Sequence, residues 1–160
     1  MDKKTIETVL IAGDISRIKN PKFSIVIPTY KKTDLLEQAL TSALNQNYKG
    51  VFEIVVVDDE GVLEETQTSL LMKNYCRDNV LYYKNINNLK MVDNWNKCIE
   101  LARGEYVTML HDDDMLDKDF LSYADKYLEG KKAVFFKSRI KDERAGKKFK
   151  RLISDLKKSM

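Results

Sequence analysis

Three carboxylates stand side by side at Asp112, Asp113 and Asp114, directly after an apolar and β-branched run at 106–110. Neighbouring carboxylates repel one another, so a fold keeps them together when a cation neutralises them. A hard divalent ion suits this arrangement, because Mg²⁺ takes one or two carboxylates together with phosphate oxygens of a substrate. The simpler alternative is an acidic turn at the start of the next helix, where Asp117 also lies. Taken alone, the triplet favours the acidic turn.

Two further polar segments follow apolar, β-branched runs, and these are residues 28–30 and 58–60. Runs of this kind are typical of strands that are buried on both faces of a parallel sheet. In open α/β sheets, ligands bind outside the carboxyl ends of the strands. We therefore expect the three polar loops to meet at one edge and to form one site, rather than three unrelated acidic turns.

The order of the predicted elements indicates an α/β fold. Helix-like segments separate five predicted strands, which lie at 23–27, 52–57, 80–84, 106–110 and 133–136. Such alternation predicts a mostly parallel, doubly wound sheet with helices on both faces. Apolar residues at helical spacing also predict an N-terminal helical extension at 1–20.

Composition describes one soluble globular domain, with 160 residues of which 43% are hydrophobic and 33% charged. The apolar runs are too short to cross a bilayer, and the N-terminus has no continuous apolar signal segment. Cys76 and Cys98 lack metal-ligand spacing, so we expect reduced thiols in a cytoplasmic protein.

The net charge of +3 hides a basic C-terminal segment, since residues 137–160 hold ten Lys/Arg and three Asp/Glu. Apolar residues spaced as on one helix face predict a basic amphipathic helix at 141–160. Its residues 147–158 either contact an anionic membrane surface or cover an apolar surface of this domain or of a partner protein. We expect no nucleic-acid partner.

Five segments resemble glycosyltransferase family 2, whose members have a GT-A fold and transfer sugars from nucleotide diphosphate donors. The segments are FSIVIPTY at 23–30, VVVDD at 55–59, the region of Asn88, ARGEY at 102–106 and LHDDD at 110–114. They occur in the family's order between about residue 23 and residue 140. The resemblance implies a truncated GT-A domain, of the nucleotide-diphospho-sugar transferase type, at 21–140.

The resemblance implies roles for residues near the nucleotide. Pro28, Thr29 and Tyr30 would line the base and ribose pocket. Asp59 would accept a hydrogen bond from the base N–H, which favours uracil and hence a UDP-sugar donor. Lys90 would face the phosphates, with an ordinary solvated lysine as the alternative.

The resemblance also implies a metal site, because His111, Asp112 and Asp113 occupy the family's Asp-X-Asp position. Asp113 would bind Mn²⁺ or Mg²⁺ between the two phosphates. Asp112 would reach the ribose or the metal's waters, and Asp112 or His111 are the further ligand candidates. The metal would act as a Lewis acid on the departing diphosphate.

No catalytic base is identified. An inverting transfer needs one within hydrogen-bond reach of the attacking hydroxyl, and the acids after Phe136 lie in an exposed-looking basic stretch without an acceptor platform. The resemblance nevertheless implies a glycosyltransferase that transfers a hexosyl unit to a polysaccharide or lipid-linked acceptor, in the cytoplasm or at the inner membrane face. The alternative is a catalytically incomplete donor-binding module that acts as a sensor or assembly partner. A phosphotransfer domain fits the Pro-Thr-Tyr loop and the triple Asp poorly.

Overall fold

A computed structural model describes residues 7–75, 77–130, 133–134 and 136 of the chain. The strands are β1 (Thr8–Ala12), β2 (Phe23–Thr29), β3 (Phe52–Asp58), β4 (Val80–Asn85) and β5 (Tyr106–Met109). The helices are α1 (Thr33–Leu44), α2 (Gln67–Asn74), α3 (Met91–Leu101) and α4 (Phe120–Leu128), with a short 3-10 helix at Ile15–Arg17. The strand order is β1-β4-β3-β2-β5. β2 to β5 run parallel and β1 runs antiparallel to β4, which confirms the mostly parallel α/β sheet.

Helices cover both faces of the sheet, because alternate residues of each central strand point to opposite sides. On one face Ile25 of β2 packs in a cluster with Leu40 of α1 and Leu121 of α4. On the other face Val26 packs with Cys98 of α3. The Cys98 thiol is free and buried, and this burial raises its pKa to about 12. The two apolar layers explain why β2 and β3 read as nearly continuous apolar runs.

The N-terminal prediction is wrong where the structure can be compared with it. Residues 7–20 contain β1 and the 3-10 helix, not the α-helix expected for residues 1–20. β1 pairs along the outer edge of β4, and the Thr8 hydroxyl donates to the Asn85 side chain at 2.7 Å. Residues 8–12 therefore form a strand, because the edge of β4 offers backbone hydrogen bonds to this segment. The helical spacing of its apolar residues is coincidental.

Two predictions concern the C-terminal part of the chain. Ala133, Val134 and Phe136, the described residues of the strand expected at 133–136, are not part of a strand. The amphipathic helix expected at 141–160 lies outside the described residues. In the described part of the chain, no helix is both long and apolar enough to cross a membrane.

Candidate functional site

The order of the parallel strands creates a crevice beside β2. From β2 the chain proceeds to β3 and β4 on one side, and then returns to place β5 on the other side of β2. Open α/β sheets bind ligands outside the carboxyl ends of the strands at such a topological switch point. The loops after β2 and β5, at 30–32 and 110–119, therefore flank the expected crevice.

β2 reaches the crevice through Pro28 and Thr29, which belong to the strand and not to a loop after it. Both residues pair with β3, whereas pairing with β5 ends at Val26. Pro28 therefore lies where its missing N–H removes no bond to β5. Pro28 and Thr29 are buried, while Tyr30 is 47% exposed. Of the three predicted pocket residues, only Tyr30 presents an exposed side chain.

A lysine bridges two of the three predicted carboxylates. Lys32 Nζ lies 3.3 Å from Asp112 Oδ1 and 3.1 Å from Asp113 Oδ2. Asp112 is only 7% exposed, and its Oδ2 accepts a hydrogen bond from the buried Thr29 hydroxyl at 3.0 Å. The hydrogen bond from Lys32 lowers the pKa of Asp113, and the same contact raises the pKa of Lys32. The loops after β2 and β5 are thus joined by charge and by hydrogen bonds.

His111 packs beside an aromatic ring. Its ring centroid lies 4.8 Å from that of Trp95 on α3. Among the residues that the structure describes, no group of three or more His, Cys, Asp or Glu side chains is arranged to hold a metal ion. Asp112 and Asp113 still fit a divalent ion, because their oxygens already hold a positive group, the Lys32 ammonium. Mg²⁺ also needs few protein ligands when phosphate and water supply the others.

Asp58, the last residue of β3, is committed to the loop that follows it. Its carboxylate accepts hydrogen bonds from the Tyr82 hydroxyl at 2.7 Å and from the Glu60 amide at 3.0 Å. Burial raises the pKa of Asp58 above its ordinary value in spite of these bonds. The side chain is fully buried, so it orients the loop after β3 through these hydrogen bonds and presents no surface to a ligand.

Asp59 connects the loops after β3 and β4. Its Oδ1 accepts from Asn85 Nδ2 and from the Leu89 amide, both at 2.7 Å, and its Oδ2 accepts from the Lys90 amide at 3.0 Å. The Asp59 amide also donates to the Thr29 carbonyl at 2.9 Å. A carboxylate offers about four acceptor positions, so one remains on Oδ2. Asp59 is 3% exposed, and this is the acceptor position that its hydrogen bonds to the described residues leave open.

Lys90 takes part in this arrangement through its backbone. It precedes α3 with φ +73°, and its side chain is exposed. The predicted contact between this side chain and phosphate stays a prediction.

Sequence reasoning missed Lys32 and the buried amides of Asn85 and Asn94, which bond to each other at 2.9 Å. The Asn-rich loop at 85–88 was a visible signal for the amides. Lys32 was visible only as a basic residue before a predicted helix, because element order alone does not place β5 next to β2.

A hollow also lies at the opposite edge of the sheet. A cavity of about 580 Å³ is lined by residues that include Lys22, Tyr106 and Asp125. Lys22 and Tyr106 lie at the amino-terminal ends of β2 and β5. None of the residues that line this cavity is a predicted site residue.

Comparisons with known proteins give a consistent result. The family model described as Glycosyl transferase family 2 matches residues 24–158. The GalNAc(5)-diNAcBac-PP-undecaprenol beta-1,3-glucosyltransferase of Campylobacter jejuni is 38% identical over 106 residues, which cover 64% of this chain and 33% of that protein. Staphylococcus aureus TarS 1-349 in complex with UDP-GlcNAc matches with a TM-score of 0.61 and 28% identity, over 68% of this chain and 31% of TarS.

A third match supports the fold alone. The mannosyltransferase PcManGT from Pyrobaculum calidifontis, in complex with GDP-Man and Mn²⁺, has a TM-score of 0.58 at 23% identity, over 70% of this chain and 33% of that chain. The chain thus spans about a third of the length of these relatives.

Proposed function

The chain belongs to glycosyl transferase family 2, and on that premise we propose that it forms the donor-binding part of a glycosyltransferase. The crevice between the loops after β2 and β5 would bind the diphosphate of a UDP-sugar together with Mn²⁺ or Mg²⁺. The transferred unit would be a hexosyl group. One observation carries the proposal. At the switch point, the ammonium group of Lys32 lies between Asp112 and Asp113, where a metal and a diphosphate would be held.

In this proposal Asp113 is the metal ligand, and its half-exposed carboxylate faces outward from the loop. Asp112 holds its position through Thr29, and its Oδ1 is directed at the cation. When bound, the metal would act as a Lewis acid on the departing diphosphate. The two carboxylates leave most of the coordination sphere to phosphate and water, as Mg²⁺ prefers.

The base would lie between the ends of β2 and β3. Tyr30 offers an exposed ring for the base or ribose, and Asp59 offers the remaining acceptor position of Oδ2 to a base N–H. Uracil and guanine both carry an N–H next to a carbonyl, so Asp59 alone does not choose between them. The support for UDP is the likeness to TarS, which has been solved with UDP and with UDP-GlcNAc.

The acceptor is proposed from the relatives. The Campylobacter protein is named for an undecaprenol-linked acceptor, and a Bacillus spizizenii relative, 31% identical over 101 residues, is named a poly(ribitol-phosphate) beta-glucosyltransferase. We therefore propose a lipid-linked or polymeric acceptor, reached from the cytoplasm or at the inner membrane face. The segment 147–158, which lies outside the described residues, remains the proposed contact with a membrane surface or a partner protein.

A second candidate is a donor-binding module that does not transfer the sugar. This candidate is favoured because the acidic groups in the described part of the site are already hydrogen-bonded or paired with a lysine. Asp58 and Asp59 are bonded within the fold, and Asp112 and Asp113 share Lys32, so none of these four is positioned as a base. The two candidates share the donor site and differ in whether a sugar leaves it.

Calorimetry of UDP binding tests the donor site. We expect wild-type protein to bind UDP only when Mn²⁺ is present. In Asp113→Ala, the addition of Mn²⁺ should no longer change the affinity for UDP. Asp114→Ala is the matched control, because it removes a charge from the adjacent exposed residue. Metal-independent UDP binding that is the same in Asp113→Ala and wild type would remove the metal assignment. Release of UDP from a UDP-sugar mixed with lipid-linked saccharide then separates transfer from binding.

A further inference from the structure

The proposed function uses the Lys32 ammonium only as a sign that Asp112 and Asp113 hold a cation, and it gives this side chain no part in binding the donor or the metal. Lys32 occupies the N-cap position of α1, but its side chain makes no capping hydrogen bond. The side chain extends to residues 80 and 81 positions further along the chain, where Nζ contacts Asp112 and Asp113. The chain therefore supplies its own cation to the acidic pair.

This ammonium occupies the place that a divalent ion needs. Its two contacts use Asp112 Oδ1 and Asp113 Oδ2, while Asp112 Oδ2 is bonded to Thr29. A metal ion bound by the same two oxygens would lie a few ångströms from Nζ, at a distance where like charges repel strongly. The ion and the ammonium therefore exclude each other from this pair of oxygens.

Lys32 is also able to leave. Its side chain is 46% exposed, so the ammonium can return to water or turn to another anion without opening the core. A nucleotide diphosphate that arrives with the metal is such an anion, and lysine binds phosphate well as a point charge. A metal ion that binds alone brings no anion for Lys32, so the ammonium continues to compete with it for the two carboxylates.

We propose that Lys32 is an internal counter-ion that competes with a divalent cation for Asp112 and Asp113. Lys32 weakens the binding of the metal alone, and its ammonium leaves the two carboxylates when metal and diphosphate bind together. This inference rests on the proposed function, since it assigns regulation to the same site. It makes the bare acidic pair a weak metal site and the diphosphate a condition for tight metal binding.

Titration with Mn²⁺ alone, followed by the loss of the free-ion signal in electron paramagnetic resonance, tests the competition. Lys32→Gln is expected to bind Mn²⁺ about tenfold more tightly than wild type, because one positive charge has left the pair. Lys32→Arg keeps the charge and should bind as weakly as wild type. Lys31→Gln is the matched control, because Lys31 Nζ lies over the Tyr30 ring and not at the carboxylates.

Adding UDP tests the second half of the inference. With UDP present, the advantage of Lys32→Gln should disappear or reverse, because the ammonium then has phosphate as a partner. Equal Mn²⁺ affinity of Lys32→Gln and wild type without UDP would overturn the counter-ion role. An equal gain in Lys31→Gln would overturn it as well, since the effect would then be diffuse charge.

The outcomes also separate this role from the proposed function. If wild type binds UDP with Mn²⁺ while Lys32→Gln leaves the affinity for Mn²⁺ alone unchanged, the counter-ion role fails and the donor site stands. If Lys32→Gln tightens Mn²⁺ binding but no variant binds UDP, the donor site fails and the competition is supported. Circular dichroism of each variant confirms that it is folded.

Discussion

Removing the guanidinium of Arg103 should destabilise the fold more than removing its carboxylate partner. Arg103 follows α3, and its Nε donates to the buried Glu53 Oε2 at 2.9 Å. Its Nη1 also donates to the carbonyls of Ile15 and Ile18, at 3.2 and 3.1 Å. The Glu53 side chain is fully buried, whereas the Arg103 side chain is 30% exposed. Arg103→Met therefore leaves a carboxylate in the core, while Glu53→Gln leaves a cation that water reaches.

The magnitude follows from what remains around Glu53. Breaking a buried pair by removal of one partner costs about 3–5 kcal/mol. Glu53 keeps hydrogen bonds from the Ser24 hydroxyl at 2.6 Å and from the Arg103 amide at 2.7 Å, so we expect the lower end. Arg103→Met should then lower the free energy of unfolding by about 3 kcal/mol and Glu53→Gln by about 1.5 kcal/mol. The double variant, without a buried charge, should lose about 2 kcal/mol, well below the sum.

Urea unfolding, followed by the fluorescence of Trp95 and by circular dichroism, measures these values. Trp95 is the single tryptophan of the chain. Arg17→Met is the control, because Arg17 bonds to Asp78 at 2.6 Å but is 62% exposed, and such pairs contribute about 1 kcal/mol or less. A loss below about 1 kcal/mol in Arg103→Met, or additive losses in the double variant, would refute the reasoning.

Three further predictions concern single groups. Gly61→Ala should destabilise more than Gly130→Ala, since both glycines have positive φ but only at Gly61 would a Cβ meet backbone, 2.6 Å from Asn88 N; urea unfolding compares them. Cys98, in a Cys76→Ser background, should not react with a thiol reagent at pH 8 until urea unfolds the chain, because burial raises its pKa to about 12; rapid native labelling would contradict this. The pKa of Asp58 is raised by burial, so its contribution to stability is complete below its ordinary value of 3.8 and is lost as pH rises through the folded value. Asp58→Asn should therefore gain on wild type in unfolding free energy from pH 4 to 7, and a constant difference would count against the burial of this charge.

The central fold was predictable because β2, β3 and the residues after them carry local signals. Ile25 to Ile27 and Val55 to Val57 are apolar on both faces, which only a doubly covered sheet explains. The loops after β2, β3 and β5 were correctly expected at one edge. β1 was not predicted, because its apolar residues also match a helix, and pairing with β4 is a long-range choice.

The details of the site were less predictable, for two physical reasons. The contact of Lys32 with Asp112 depends on β5 lying beside β2, which no local pattern encodes. The bonds that hold Asp59 come largely from the amides of Leu89 and Lys90, and every residue other than proline has an amide. Sequence therefore indicated the edge of the sheet at which these loops lie, but not the contacts of Lys32 or the atoms of Asp59 that are already hydrogen-bonded.

The hydrogen bonds that link Thr29 to Asp59 and to Asp112, together with those from Asp59 to Leu89 and Lys90, have a consequence for how such a domain can diverge. They join the connections after β3, β4 and β5 to the carboxyl end of β2, although long stretches of chain separate these segments. A graft that changes Asp59 or Asp112 would leave donors in the segments bonded to that carboxylate without acceptors. New specificity at this edge is therefore expected to arise by joint exchange of segments that are hydrogen-bonded to each other, or at residues such as Tyr30 that take no part in these bonds.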